Sequence, residues 1–258
     1  MGILNVTPDS FADGGRHFAF DAAIARASVM IAEGVDIIDV GGESTRPGSE
    51  RITTEEERDR TIPIITDLHA LGAVISIDTT RSEIASAAIE AGATFVNDIS
   101  GGLADPKMAA VIAKNPTIQY VVMHWRGESK NMHNRATYND VVQEVRNELS
   151  ERVTSLIDQG VNPDQLILDP GIGFAKNSEH NWELLRNIDR LQLLGFPVLI
   201  GVSRKRFLGD LVGAGSPDDR EFATLAITTE MARKGVWAVR THSVKPQLDA
   251  IKVIEELY

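Results

Sequence analysis

The chain has 258 residues, enough for one large α/β domain, and no cysteine, which excludes disulfides, thiolate metal sites and a cysteine nucleophile. Hydrophobic residues make up 43% and charged residues 24%, the balance of a folded chain with a sizeable core rather than a disordered one. A formal net charge of −11 argues against a nucleic-acid partner, so any bound anion must be held by locally gathered basic groups.

No apolar run approaches the roughly 18 residues of a membrane span, and Met1-Gly2-Ile3-Leu4-Asn5 lacks the basic start and apolar stretch of a signal peptide. The expectation is a cytoplasmic protein without a membrane partner. The six histidines form no HxxxH pair, which argues against zinc.

The first short apolar run is Ile3-Leu4-Asn5-Val6. After it one unit recurs: a helical pattern ends at a glycine, and a β-branched run closing on a polar residue follows. It appears after Gly34 (VDIIDVGGE), Gly72 (AVISIDT), Gly92 (ATFVNDI), Gly160 (VNPDQLILDP), Gly195 (FPVLIGVSRK) and Gly235 (VWAVRTHS). Glycine there suits the left-handed residue that ends a helix, and the continuous apolar run suits a parallel strand buried on both faces. Asn115-Pro116 before Ile118–Met123 reads as a seventh junction, with Asn taking the left-handed position.

Helix starts lie between these runs. Thr53-Thr54-Glu55-Glu56 and Thr80-Arg81-Ser82-Glu83 read as capping boxes, and Asp105-Pro106 as an Asp cap before Pro at the first helical position. Eight strands alternating with eight helices, at about 32 residues per unit, predict a single-domain (β/α)8 TIM barrel over residues 1–258. The rival is an open doubly wound sheet. It would carry a Gly-rich fingerprint after the first strand, where this chain has Asn5-Val6-Thr7-Pro8-Asp9.

Two connections exceed the usual roughly two to six residues: 6 to 19 after the first strand and 42 to 53 after the second. These two long loops are expected to be mobile lids, with Gly14-Gly15 and Pro47-Gly48 as hinges and turns and with Phe11 and Pro47 covering an apolar ring.

A barrel's active site lies at the C-terminal ends of its strands. Read in order, those ends are Asn5, Gly41-Gly42-Glu43, Asp78, Asn97-Asp98, His124, Asp169, Ser203-Arg204-Lys205 and Arg240-Thr241-His242. Asp78, Asn97 and Asp169 supply acceptors suited to a flat heterocycle with adjacent N–H groups. Lys205, Arg46, Arg240 and His242 supply positive charge, which in a chain this acidic suggests a phosphate or diphosphate. Solvation of Lys205 and Arg204, or pairing of Arg240 with a barrel carboxylate, accounts for the same residues without a ligand.

Asn5-Val6-Thr7-Pro8-Asp9-Ser10-Phe11 with Asp13-Gly14-Gly15, and Gly41-Gly42-Glu43-Ser44-Thr45-Arg46-Pro47-Gly48, resemble the two signatures of the dihydropteroate synthase family of pterin-binding enzymes. The match continues through Ser76–Thr79, Val96–Gly102, Met123-His124, Asp169–Phe174, Ser203-Arg204-Lys205 and Arg240-Thr241-His242, and so spans nearly the whole chain. The resemblance implies a transferase of folate biosynthesis that condenses 6-hydroxymethyl-7,8-dihydropterin diphosphate with para-aminobenzoate to 7,8-dihydropteroate and pyrophosphate, and that sulfonamides inhibit.

The family roles fall on this chain as follows. Asp78, Asn97, Asp169 and Lys205 hold the pterin, with Met123 beneath the ring. Asn5, Arg240 and His242 hold the diphosphate, with Mg²⁺ on Asn5 and phosphate oxygens. Phe11, Thr45, Pro47, Phe174 and Lys205 surround the aminobenzoate. Arg46 sits on the second lid, and Asp9 is a candidate for taking a proton late in the reaction. Lys205, Arg240, His242, Arg46 and Asp9 are therefore the candidate catalytic set.

Three positions depart from the family pattern: Ser243 stands where Asp is usual, Arg206 where Ser is commoner and Ala223 where Gly is frequent. Ser243 still suits a helix cap. Arg206 either meets the aminobenzoate carboxylate or points to solvent. The family also implies a homodimer through the later helices, for which Trp182, Leu185, Leu193, Leu208 and Leu211 offer apolar candidates that core packing explains equally well. Two other readings stand beside the synthase: a pterin-binding barrel that passes a methyl group from methyltetrahydrofolate to a corrinoid protein, and a catalytically silent paralogue.

Overall fold

A computed structural model describes residues 1–6, 16–43, 51–127 and 135–258. Within them run strands β1 (Gly2–Asn5), β2 (Ile38–Gly41), β3 (Ile75–Asp78), β4 (Phe95–Asp98), β5 (Gln119–Met123), β6 (Leu166–Asp169), β7 (Leu199–Ile200) and β8 (Ala238–Val239). Strands β1 to β6 pair in chain order, all parallel, and β7 pairs with β8. The two arcs meet at both ends, where Leu168 bridges Val198 and Gly2 bridges Thr241. The second junction is stitched twice: the Ile3 N–H donates to the Thr241 carbonyl at 2.8 Å, and the Thr241 N–H donates to the Met1 carbonyl at 2.9 Å. The strands thus form the closed ring of a (β/α)8 barrel.

Helices cover the outside: α1 (Arg16–Glu33), α2 (Thr54–Ala70), α3 (Ser82–Glu90), α4 (Met108–Lys114), α5 (Val141–Asp158), α6 (Ser178–Arg186), α7 (Ile188–Gln192), α8 (Arg206–Val212), α9 (Glu221–Arg233) and α10 (Val244–Leu257). The sequence pattern predicts eight, and the described residues hold ten. Two connections are subdivided: Asn187 (φ −109°, ψ 29°) leaves helical geometry between α6 and α7, and Gly213 (φ +69°) ends α8 before α9 begins.

All six junction glycines have positive φ, from 67° at Gly235 to 112° at Gly92, as their position predicts. Asn115 does not. It lies at φ −122°, ψ 75°, because Pro116 disfavours helical geometry in the residue before it, and its side chain donates to the Val111 carbonyl instead. Thr53 caps α2 by accepting from the Glu56 N–H. Thr80 makes no such cap: α3 starts at Ser82, whose N–H donates to Asp105 at 2.8 Å. Asp105 also accepts from the Lys107 N–H, but α4 begins only at Met108, so Pro106 is not its first helical residue and Asp105 is not its cap: the carboxylate closes a tight turn ahead of the helix instead.

Strand residues alternate between two surroundings. Leu4, Ile38, Val40, Ile75, Ile77, Val96, Tyr120, Val122, Leu168 and Ile200 join the core beneath the helices. Each fully buried aliphatic side chain there contributes roughly 1.5–3 kcal/mol. Inside the ring, Met1, Ile37, Val121, Ile167 and Leu199 pack with Phe95 and Ala238 as a separate apolar plug. Two residues further along, the same inward series changes chemistry: Ile37 gives way to Asp39 and Gly41, Phe95 to Asn97, Ile167 to Asp169, and Ala238 to Arg240. The plug closes the barrel from below and leaves polar groups at the C-terminal rim.

Candidate active site at the C-terminal rim

Asn5, Gly41, Asp78 and Asn97 are successive register partners across β1 to β4 and so form one row at the strand ends. A Cβ at position 41 would come 3.5 Å from Asn5 Oδ1 and 3.6 Å from Asp78 Cβ, so glycine keeps the space between those side chains open.

Arg240, the first residue past β8, reaches into this row. Its Nε donates to Asp39 Oδ2 at 2.6 Å and its Nη2 to Asp78 Oδ2 at 2.8 Å. The same Asp39 oxygen accepts from Asn97 Nδ2 at 3.0 Å, and Asp39 has no solvent exposure. Asp39 was absent from the residues singled out in the sequence. The signal was available, because it stands two residues before Gly41 on a strand and must share its inward face.

Burial dominates the electrostatics. It pushes the Asp78 carboxyl up to about 7 against the opposing Arg240 charge, with Asp39, Asp98 and Glu43 adding to the rise. It also raises Asp169, against Lys205 and the Gly171 N–H, and lowers Lys205 to about 8 against the favourable Asp169 charge. Burial works against the charge of Arg240 too, but Asp39 and Asp78 outweigh it and hold the guanidinium firmly protonated.

The segment after β6 supplies the next wall. Asp169 Oδ1 accepts from the Gly171 N–H at 2.7 Å, and Lys205 Nζ donates to the Ile172 carbonyl while lying 4.9 Å from the centre of the Phe174 ring. Met123 pairs in register with Asp169 and is buried. At the β1 and β8 side, the His242 N–H donates to Ser203 Oγ at 3.1 Å, and His242 Nδ1 lies 2.9 Å from the same oxygen. A cavity of about 660 Å³ opens there, lined among others by Asn5, Arg26, Arg204, His242 and Ser243 at the start of α10. Among the described residues no three His, Cys, Asp or Glu side chains gather as a metal cluster.

Residues 1–242 match the family of pterin binding enzymes. A dihydropteroate synthase of Mycobacterium leprae is 46% identical over 260 residues, covering 98% of this chain and 91% of that one. The chain belongs to the dihydropteroate synthase family of pterin-binding enzymes. The solved dihydropteroate synthase of Xanthomonas albilineans with 4-aminobenzoic acid superposes with a TM-score of 0.93 at 39% identity, covering 100% of this chain and 92% of its own. That of Yersinia pestis in complex with a sulfonamide drug gives 0.93 at 35% identity, covering 100% and 93%.

In this dihydropteroate synthase family member the strand ends divide into two groups. Asp78, Asn97, Arg240 and the unforeseen Asp39 are joined by direct hydrogen bonds. Asp169, Phe174 and Lys205 form the adjoining wall. Three strand-end residues instead serve the scaffold. Glu43 pairs with Arg81 at 2.7 Å and Arg51 at 3.2 Å. Asp98 is buried and accepts from the Ser100 N–H and hydroxyl, the Gly102 N–H and the Tyr120 hydroxyl. His124 lies between Glu148 and Lys176.

Arg206 does not join the wall. It follows Lys205 as the first residue of α8, and its side chain is 87% exposed with Asp210 3.8 Å away, so of its two expected fates the structure gives it solvent. Arg204 turns outward to Asp218 at 2.6 Å and holds an unusual φ of +60°. Ser243 occupies the cap position of α10, but its hydroxyl accepts from Arg204 rather than from the helix. Asp9, Phe11, Thr45, Arg46 and Pro47 lie outside the described residues, as do 7–15 and 44–50 of the two expected lids, while the last four residues assigned to the first lid, 16–19, belong to α1.

Proposed function

We propose that this pterin-binding enzyme condenses 6-hydroxymethyl-7,8-dihydropterin diphosphate with para-aminobenzoate, giving 7,8-dihydropteroate and pyrophosphate. The observation that carries the reading is the placement of Asp78, Asn97 and Arg240 in one hydrogen-bonded unit beside Asp169 and Lys205, which puts heterocycle acceptors and cations at one rim. Asp78, Asn97 and Asp169 accept the pterin N–H groups, Met123 lies beneath the ring, and Lys205 faces both pterin and aminobenzoate. Phe174 borders the aminobenzoate, and Thr45, Phe11 and Pro47 are assigned there with it.

Asn5, Arg240 and His242 hold the diphosphate. Nε and Nη2 of Arg240 are committed to carboxylates, which leaves Nη1 for an anion. Mg²⁺ fits the donor chemistry: Asn5 offers one neutral oxygen, and a hard cation that keeps water and phosphate oxygens needs no cage of protein carboxylates. When bound it would offset charge on the departing diphosphate.

The carbon–oxygen bond between the pterin methylene and the diphosphate breaks, the aromatic amine forms the new carbon–nitrogen bond, and the amine then gives up a proton. The electron-rich dihydropterin delocalises positive charge on the methylene, so stabilising the departing anion lowers the barrier most. Arg240 and His242 are assigned to do this, Arg46 is assigned with them, and Asp9 is assigned to receive the proton.

The test is pyrophosphate release that requires both Mg²⁺ and para-aminobenzoate, with dihydropteroate as the second product and sulfonamides as inhibitors. Product formation separates this reading from a silent paralogue. A methyl-transferring pterin barrel has no use for a diphosphate clamp, so dependence on the diphosphate separates it from that relative as well.

The reading carries a cytoplasmic location, and no helix among the described residues is long and apolar enough to cross a membrane. It also carries a homodimer. Of the five apolar candidates, Leu185 and Leu208 are buried and Trp182 packs on the core, while Leu193 and Leu211 are exposed. Phe222, 86% exposed on α9, joins Leu211 and Val212 as the apolar surface we assign to the dimer.

A further inference from the structure

Lys176 is buried two residues beyond Phe174, and the synthase reaction gives it no role. Its Nζ lies 3.1 Å from the Gly171 carbonyl, 3.0 Å from the Phe174 carbonyl and 3.0 Å from His124 Nδ1. An ammonium has three N–H donors, and here it meets three acceptors.

The direction of the third bond follows from the far side of the imidazole, where His124 Nε2 lies 2.9 Å from Glu148. Burial opposes the Glu148 charge, but hydrogen bonds from His124 and Arg126 bring its carboxyl down to about 2, so it can only accept. Burial, helped by the Lys176 charge, lowers His124 to about 4. The ring is therefore neutral with its proton on Nε2, and Nδ1 accepts from Lys176. Arg126 pins the far end: it donates to Glu148 and Glu144 and lies 3.9 Å above the Tyr138 ring. Lys205 holds the carbonyl of Ile172, between the two that Lys176 holds.

We propose that Lys176 is a positioning residue for the aminobenzoate side of the site: its ammonium, aimed by His124 and Glu148, holds the carbonyls of residues 171 and 174 and thereby sets the place of the Phe174 ring. The inference rests on the reading that Phe174 borders para-aminobenzoate. Facing Lys176 are Asp169 from β6 and Glu148 from α5, which support its charge, and Lys205 and Arg126, which oppose it. His180 on α6 senses its field, and the Tyr138 ring lies 5.9 Å away. Burial is the strongest influence and brings the group down to about 7, so the clamp is held at lower pH and loosens as pH rises through that value.

Lys176→Met should raise the KM for para-aminobenzoate about tenfold at pH 6.5 while leaving the KM for pterin diphosphate within about twofold. An unchanged aminobenzoate KM in the folded variant, or equal rises for both substrates, overturns the proposal. Phe174→Ala is measured alongside. A rise there without one in Lys176→Met overturns the clamp alone, whereas no rise in Phe174→Ala overturns the assignment of Phe174 and the proposal with it.

If Lys176→Met does not fold, Glu148→Gln decides. It keeps an acceptor for His124 but removes a charge that supports Lys176, and Glu148 is not among the groups acting on Lys205. The pH at which the aminobenzoate KM begins to rise should move down by about half a unit or more relative to the wild type. An unmoved profile overturns the proposal.

Discussion

Asp39 and Arg240 stand 201 positions apart in the chain and meet at 2.6 Å inside the barrel, where one Asp39 oxygen also takes the Asn97 amide. The carboxylate fixes both the cation that we assign to the diphosphate and the amide that we assign to the pterin. Asp39→Asn preserves an acceptor and removes the charge. We expect a stability loss of about 1–3 kcal/mol, below that of a fully orphaned buried charge because Asp78 still holds Arg240. kcat/KM for pterin diphosphate should fall about tenfold or more, since both groups lose their common anchor. Thermal melts and steady-state kinetics read the two effects, and a variant with wild-type values in both would remove Asp39 from the site.

Burial raises the Asp78 carboxyl to about 7, and on its proposed role as a pterin acceptor we expect pterin recognition to depend on pH. Protonation would remove an acceptor site and put a donor in its place. Pterin affinity should therefore fall as pH drops below about 7, and Asp78→Asn should bind weakly with a flatter profile. The stability contribution has the opposite sense. A folded pKa above the unfolded one favours the fold at low pH, and this contribution is lost as pH rises from about 4 through about 7. Titration calorimetry across that range checks the affinity, and a wild-type affinity that is level from pH 5 to 8 would contradict it.

Gly171 is predicted to be irreplaceable. Its φ is +67°, its N–H donates to Asp169, and a Cβ there would lie 2.6 Å from the His124 carbonyl, which is backbone and cannot swing away. Gly171→Ala should cost roughly 1–3 kcal/mol of stability and weaken binding of both substrates, because Asp169 and Phe174 flank the displaced turn. Melting temperature and both KM values provide the readout.

Arg206→Ala should change nothing measurable. With its side chain 87% exposed beside Asp210, the residue makes at most a surface ion pair worth about 0–1 kcal/mol. A several-fold rise in the aminobenzoate KM would show that the guanidinium swings to the substrate.

The barrel was legible because its grammar is local: each junction glycine announces a strand, and each strand announces a rim residue. What escaped was chemistry set by partners far apart in the chain. Asp98 and Asp169 look alike as carboxylates closing apolar runs, yet one is consumed by Ser100, Gly102 and Tyr120 while the other faces two lysines. Asn115 failed because the neighbouring proline overrode a residue preference. Lys176 gave no signal at all, since a single lysine at the end of a glycine-containing turn reads as solvated until three acceptors are found around it.

The sharing of a single Asp39 oxygen between Asn97 and Arg240 also bears on how this enzyme could evade a drug. Substituting any one of these three disturbs the other two, so a compound that engages only those strand-tip atoms leaves few viable resistance substitutions. One that draws its grip from an outlying side chain such as Arg206 offers the organism a change the scaffold would hardly notice.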